Sequence, residues 1–182
     1  MRPHQKTLVD LGAGHCKFSL LAARRLGYTV TAVDGRRERV PAELGSVRFV
    51  QADVREFDPC GFGVVAILGL LYHLEIVDQE RLLRRSANGV PVIVETQVHV
   101  PEMISPESAR PWHVPVERDG YQGVIFPENN NPMASIGNAT SFWHTEASII
   151  RLFARSGFRR VVLIDPLFSS AYGARRFYLL TS

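Results

Sequence analysis

Cysteine is nearly absent from this chain of 182 residues: Cys16 and Cys60 are the two it has. They make neither a CxxC pair nor a disulfide framework, so a reducing cytoplasm is the expected setting. Lysine is equally scarce. Of 21 basic residues only Lys6 and Lys17 are lysine, and the arginine pairs (24–25, 36–37, 84–85, 159–160, 175–176) are spread along the chain. The net charge of +3 and pI of about 9.1 therefore read as solvated arginine faces; a polyanion-binding patch shows clustering with interleaved aromatics. Long hydrophobic runs are missing too. The longest, Val64 to Tyr72, is too short to span a bilayer, so no membrane partner is expected. The opening MRPHQKTLVDLG holds no apolar stretch of the kind a secretion signal needs. No two of the six histidines stand in H-x-H or H-x-x-x-H spacing, and no metal site is expected.

What the chain does have is an alternation. Lys6–Leu11 is a short apolar run rich in strand formers, ended by Gly12-Ala13-Gly14. Residues 17–26 carry helical periodicity and stop at Gly27. Strands are expected at 28–33, 47–51, 63–69 and 90–95, with a short helix at 37–44 and a longer one at 78–88, capped by Asp78 and ended by Gly89. From 98 to 142 the rhythm stops: the segment holds six of the eleven prolines and the tract Asn129-Asn130-Asn131. A stretch of this length inside a compact domain reads as a functional or a disordered loop. The pattern resumes with a helix at 145–156, Thr145 as its N-cap and Gly157 as its stop, and strands at 159–164 and 174–180. Strands alternating with helices predict one doubly wound α/β domain.

In such a sheet ligands bind at the carboxyl ends of the strands, beside the first one. Gly12 and Gly14 stand there and let the backbone approach a ligand closely. A dinucleotide fingerprint needs a third glycine at position 17, which is Lys17, and no Walker phosphate loop is present. Asp34, with Gly35 after it, ends the second strand 20 residues beyond Gly14, where a carboxylate takes both ribose hydroxyls. Asp53 ends the third strand, placed to accept from an adenine amino group with Val54 beside the ring. Asp10 precedes the glycines and is placed to anchor an ammonium group directly or through water. Together these suit a ligand with adenine, ribose and an amino-acid tail, without pyrophosphate.

VDLGAGHCKFS, TAVDGR, VRFVQADVREF and GVVAILGLLYHLE resemble successive motifs of class I S-adenosylmethionine-dependent methyltransferases. RLFARSGFRRVVLID is similar to the helix and strand that follow the fifth strand there, so the resemblance runs along the whole chain. It implies a Rossmann-like, mostly parallel sheet of seven strands in the order 3-2-1-4-5-7-6, the last antiparallel, with S-adenosyl-L-methionine as cofactor. It also implies roles. Asp10, Gly12 and Gly14 line the methionine and ribose part, and Asp34 takes the ribose hydroxyls. Asp53 and Val54 hold adenine, and Leu68 and Gly69 touch the methionyl end by backbone. Two departures stand out. The family's usual third glycine falls on Cys16, and the helices that usually precede the first strand and cover the cofactor are nearly absent. The 98–142 insert is the expected acceptor pocket and lid.

Leu70-Leu71-Tyr72-His73 follows the fourth strand, where the resemblance places the transferred methyl. The YHL signature is similar to a subset of small-molecule methyltransferases and to enzymes acting on a wobble-uridine modification in transfer RNA. SFWHTEASIIRLFARSGF is similar to that group too, with His144 where proline is common. His73 is the candidate general base, and Tyr72 the candidate that orients an acceptor or faces the sulfonium. His99, His113 and His144 are second-tier candidates. The expected activity is methyl transfer to an O or N atom of a small-molecule acceptor. An RNA-modifying methyltransferase, and a non-catalytic cofactor-binding or dimerising module or an NAD-type enzyme, stay open as alternatives, as does a homodimer.

Overall fold

The structure, a computed structural model, describes residues 6–104, 106–129, 136–170 and 173–182, without the side chains of 108 and 165–170. Within the 98–142 insert, residues 105 and 130–135, and so two of the three asparagines, lie outside the described residues.

Apolar residues on both faces make the central strands. Val9 and Leu11 of β1 (Thr7–Leu11), with Val65 and Ile67 of β4 (Val64–Leu68), are wholly buried on one side. Leu8 and Ala66 are buried on the other. The first side packs on α2 (Ile76–Ser86) and α3 (Glu146–Arg155) through Leu82, Leu83, Ile149, Leu152 and Phe153. The second packs on α1 (Lys17–Leu26) through Ala22 and Cys16. A strand buried on both faces needs no alternation of polar and apolar residues, as in VVAIL.

The seven-stranded sheet also takes in β2 (Thr29–Asp34), β3 (Arg48–Gln51) and β5 (Val92–Val98), and ends with β9 (Arg160–Ser170) and β10 (Gly173–Thr181). Its order is β3-β2-β1-β4-β5-β10-β9. β10 runs antiparallel to both β5 and β9, and the other pairs are parallel. Numbered within this sheet alone, that is the expected 3-2-1-4-5-7-6. The chain leaves β1 toward β2 on one side and enters β4 on the other, which opens a crevice beyond the carboxyl end of β1. No helix among the described residues is long and apolar enough to cross a membrane.

Three expectations need correction. The helix expected at 37–44 is a single turn, Arg37–Arg39, and Val40 is already extended at φ −81°, ψ 129°. Pro41 disfavours helical backbone in the residue before it. The helix expected from Asp78 starts at Ile76 with Glu75 in the cap position. Asp78 sits in the first turn, where the helix dipole favours a carboxylate and where it faces Arg55 at 3.8 Å. Its far end is at Ser86, three residues short of Gly89.

The third correction is the insert. It carries a three-stranded antiparallel sheet, β6 (Val116–Arg118), β7 (Tyr121–Pro127) and β8 (Thr140–His144). Asp119 and Gly120 both have positive φ, 55° and 75°, between the paired Arg118 and Tyr121. This is the two-residue Asp-Gly hairpin turn. β8 is fastened to the segment after β4. Phe142 N–H donates to Leu74 O at 3.2 Å, Trp143 Nε1 to Tyr72 O at 2.9 Å, and Asn138 Nδ2 to His73 O at 3.1 Å. The buried Gln79 amide donates at 2.9 Å to both Leu74 O and Phe142 O. Thr145 caps α3 as expected, its hydroxyl accepting from Ser148 N–H at 3.3 Å.

Candidate active site

β1 ends at Leu11, and the chain turns at Gly12 with φ +76°, a left-handed value that favours glycine. Gly12 and Ala13 both donate to Val33 O, at 2.8 and 3.0 Å, which folds the turn toward β2. A Cβ on Gly12 would lie 2.9 Å from Leu70 Cδ1, so the turn also packs tightly on the segment after β4. Gly14 N–H donates to Asp34 Oδ2 and Arg36 N–H to Asp34 Oδ1, each at 2.8 Å. The carboxylate at the end of β2 is thus held by backbone on both oxygens. Each oxygen keeps a second lone pair.

Asp53, after β3, accepts from Arg55 on both oxygens: Oδ1 from its N–H at 2.9 Å and Nε at 3.0 Å, Oδ2 from Nε at 3.0 Å and Nη2 at 2.6 Å. Those bonds hold its carboxyl below the usual range. Asp10 lies behind the turn, accepting from Ser19 Oγ at 2.5 Å. Burial lifts its pKa to about 6, and the Ser19 bond offsets only part of that. Cys16 is wholly buried and its thiol is pushed up to about 11, again by burial. It packs against the sheet as an inert thiol.

Beyond β4, His73 Nδ1 faces the Glu128 carboxylate at 3.1 and 3.3 Å. Tyr72 Oη accepts from Arg175 Nη2 at 3.3 Å, and Arg175 grips Glu95 with Nε and Nη2. Burial pushes the Tyr72 phenol up. Tyr72 leads into an aromatic wall built by the insert. Its ring stands edge-on to Trp143 at 6.0 Å, Trp143 stacks on Phe126 at 4.4 Å, and Trp112 closes on both.

A cleft opens at this place, lined by eight of the eleven expected residues: Gly12, Gly14, Asp34, Gly35, Asp53, Val54, Gly69 and His73. Asp10, Leu68 and Tyr72 do not line it. Six further residues do: Arg36, Arg39, Arg55, Leu70, Leu74 and Ile136. Ile136 comes from the insert, and a Cβ on Gly35 would lie 2.5 Å from its Cδ1. Of the second-tier histidines, His144 is buried, with Nδ1 on Ser148 Oγ at 2.9 Å and Nε2 on Gln79 Oε1 at 3.0 Å. His99 and His113 face each other at 6.1 Å inside the insert's base. Sequence reasoning missed Glu95, Glu128 and Arg175. Glu128 comes 55 residues after His73 in an unpatterned stretch, and nothing in the sequence joins the two.

No family model and no curated protein matches the sequence. Solved structures do match. The N-terminal domain of EvdMO1 with SAH bound aligns at 22% identity, covering 97% of this chain and 74% of that one, with a TM-score of 0.72. The 1,6-didemethyltoxoflavin-N1-methyltransferase of Burkholderia thailandensis aligns at 19% identity over 97% and 71% of the two chains, TM-score 0.64. Magnesium protoporphyrin IX methyltransferase of Synechocystis PCC 6803 aligns at 15% over 96% and 74%, TM-score 0.63. Strand order, the glycine turn after β1 and these alignments agree: the chain has the fold of the class I S-adenosylmethionine-dependent methyltransferases.

Proposed function

We propose that this chain is an S-adenosylmethionine-dependent methyltransferase acting on an O or N atom of a small-molecule acceptor. The observation that carries the reading is the Asp34 carboxylate, fixed at the end of β2 by two backbone N–H groups and lining the cleft beside the glycine turn. The residues present fit the cofactor. Asp34 would take the ribose hydroxyls with its remaining lone pairs. Asp53 would accept from the adenine amino group, with Val54 against the ring. Gly12, Gly14 and Gly69 would meet the methionyl part by backbone, and Asp10 would act on its ammonium from behind the turn. When bound, the cofactor supplies an electrophilic methyl group for in-line displacement. This chain's part is alignment and exclusion of water, worth about 7–11 kcal/mol in well-oriented systems. His73, on the cleft wall, is the proton acceptor.

The small-molecule acceptor is supported by the insert and by the neighbours. Trp112, Phe126, Trp143 and Tyr72 form a continuous aromatic cluster that reaches the cleft lining at His73, an apolar surround in keeping with a compact planar group. The toxoflavin enzyme was solved with 1,6-didemethyltoxoflavin and S-adenosylhomocysteine bound. Ile136 brings the insert to the lining of the cleft, and Glu128 joins it to His73, the placement a cover needs. Incubation of the protein with methyl-labelled S-adenosylmethionine and a small-molecule extract tests the reading. Label transfer to a low-mass product is expected, and transfer only to RNA would overturn the small-molecule assignment.

A further inference from the structure

Glu128 follows β7 inside the insert and is 1% exposed. Both of its oxygens face His73 Nδ1, and among the described residues this imidazole is its one side-chain partner. A carboxylate is costly to bury unless a partner satisfies it. A carboxylate facing a ring nitrogen at this distance pairs with it as acceptor when the shared hydrogen sits on His73 Nδ1. Nε2 then keeps its lone pair, on a ring that lines the cleft. The main chain that carries the ring is held as well. The backbone carbonyl of His73 accepts from Asn138 Nδ2 at 3.1 Å, and the Tyr72 ring packs beside the imidazole at 4.3 Å between ring centres. The neighbouring carbonyl of Tyr72 is held by Trp143.

We infer that Glu128 is a positioning residue for His73, and that the pair specifies a hydroxyl as the acceptor. The inference rests on the methyl-transfer reading above. A neutral amine already offers a lone pair and sheds its proton to water after attack. A hydroxyl oxygen is a poor nucleophile until its proton is drawn away, which is the work of a base held in one tautomer. The step balances within the pair. The acceptor O–H proton passes to Nε2 while the oxygen bonds to the methyl carbon. The carbon–sulfur bond breaks, and its electron pair stays on sulfur. The imidazolium left behind has its charge met by Glu128, as a carboxylate meets the imidazolium in hydrolytic triads.

The test begins with the full chain, labelled with ¹⁵N-histidine and without ligand. Long-range proton–nitrogen spectra read which His73 nitrogen carries hydrogen. The expected result is the Nδ1–H form in the native protein and a return to the Nε2–H form, favoured by free imidazole in water, in Glu128→Leu. An Nε2–H imidazole in the native protein would overturn the pairing outright. Methyl-¹³C S-adenosylmethionine then reports the product: the carbon shift of an O-methyl group is expected, and an N-methyl group would overturn the acceptor assignment. Glu128→Gln should lower kcat by roughly 10²-fold or more with KM for the methyl donor unchanged. Unaltered kcat in that variant would leave Glu128 a packing residue and defeat the proposal. Calorimetry with S-adenosylhomocysteine keeps the two readings apart. Loss of binding in the native chain defeats the methyl-transfer reading itself, whereas binding with the wrong tautomer defeats only the dyad.

Discussion

His144 gives the insert's attachment a pH dependence. It is 2% exposed, and both ring nitrogens are engaged. Nε2 must donate to Gln79 Oε1, since an amide oxygen only accepts, so Nδ1 accepts from the Ser148 hydroxyl. Protonation would add a charge in a buried site and set a second N–H against that hydroxyl. Burial accordingly lowers the folded pKa to about 3, against about 6.5 for an unfolded imidazole. The native state therefore refuses a proton that the unfolded chain takes up. Stability from this residue is fully present above the unfolded value and is lost as pH falls toward the folded one. The loss is about 1.4 kcal/mol per pH unit, or about 3 kcal/mol between pH 6.5 and about 4. Urea unfolding of the native chain and of His144→Gln at several pH values in that window measures it. The variant should be less stable at neutral pH, because Gln79 and Ser148 lose their shared partner, while its curve falls less steeply with acid. Parallel curves for the two proteins would show that His144 titrates normally in the fold, and the buried network as drawn would be wrong.

Asp10 acts in the opposite sense: its folded pKa of about 6 lies above the unfolded value. It contributes stability while protonated and loses it as pH rises from about 4 to 6, by about 3 kcal/mol. Asp10→Asn should thus be more stable than the native chain above pH 6, with the gap closing toward pH 4; a pH-independent gap in thermal or urea unfolding would refute this. Asp34→Ala should weaken S-adenosylhomocysteine binding by about 1–3 kcal/mol, since buried ribose hydroxyls lose a charged acceptor. An unchanged dissociation constant by calorimetry removes Asp34 from the ribose site. Gly12→Val should abolish binding and lower stability, because φ there is +76° and the new side chain meets Leu70; full binding would place the ligand away from the turn.

The sheet was legible in the sequence because its strands are buried on both faces and end in turn residues. Leu8 to Leu11 followed by two glycines, or Val64 to Leu68 closed by Gly69, leaves little choice of conformation. The strand order came from resemblance, and the alignments and pairing agree with it. Helix ends were harder: Asp78 looks like a cap, yet the first turn of a helix welcomes the same residue. The insert failed because prolines at 106, 111 and 115 mask a strand pattern that starts only at Val116. Its one clear signal, Asp119-Gly120, was in plain view. The cleft collects Gly12, Asp34, Asp53 and Gly69 because each ends or follows a strand on the same edge of the sheet. Glu128, Glu95 and Arg175 were illegible for the opposite reason. Their partners are fixed by how the insert and β10 pack, and no local pattern carries that.

The central claim is that the cleft beside β1 takes an adenosine with an amino-acid tail and no pyrophosphate. Titration calorimetry of the native chain with S-adenosylhomocysteine, and separately with NAD, addresses it directly. The account predicts one-to-one binding of S-adenosylhomocysteine, weakened at least several-fold in Asp34→Ala, and no heat from NAD. Binding of NAD without S-adenosylhomocysteine, or of neither, would contradict it.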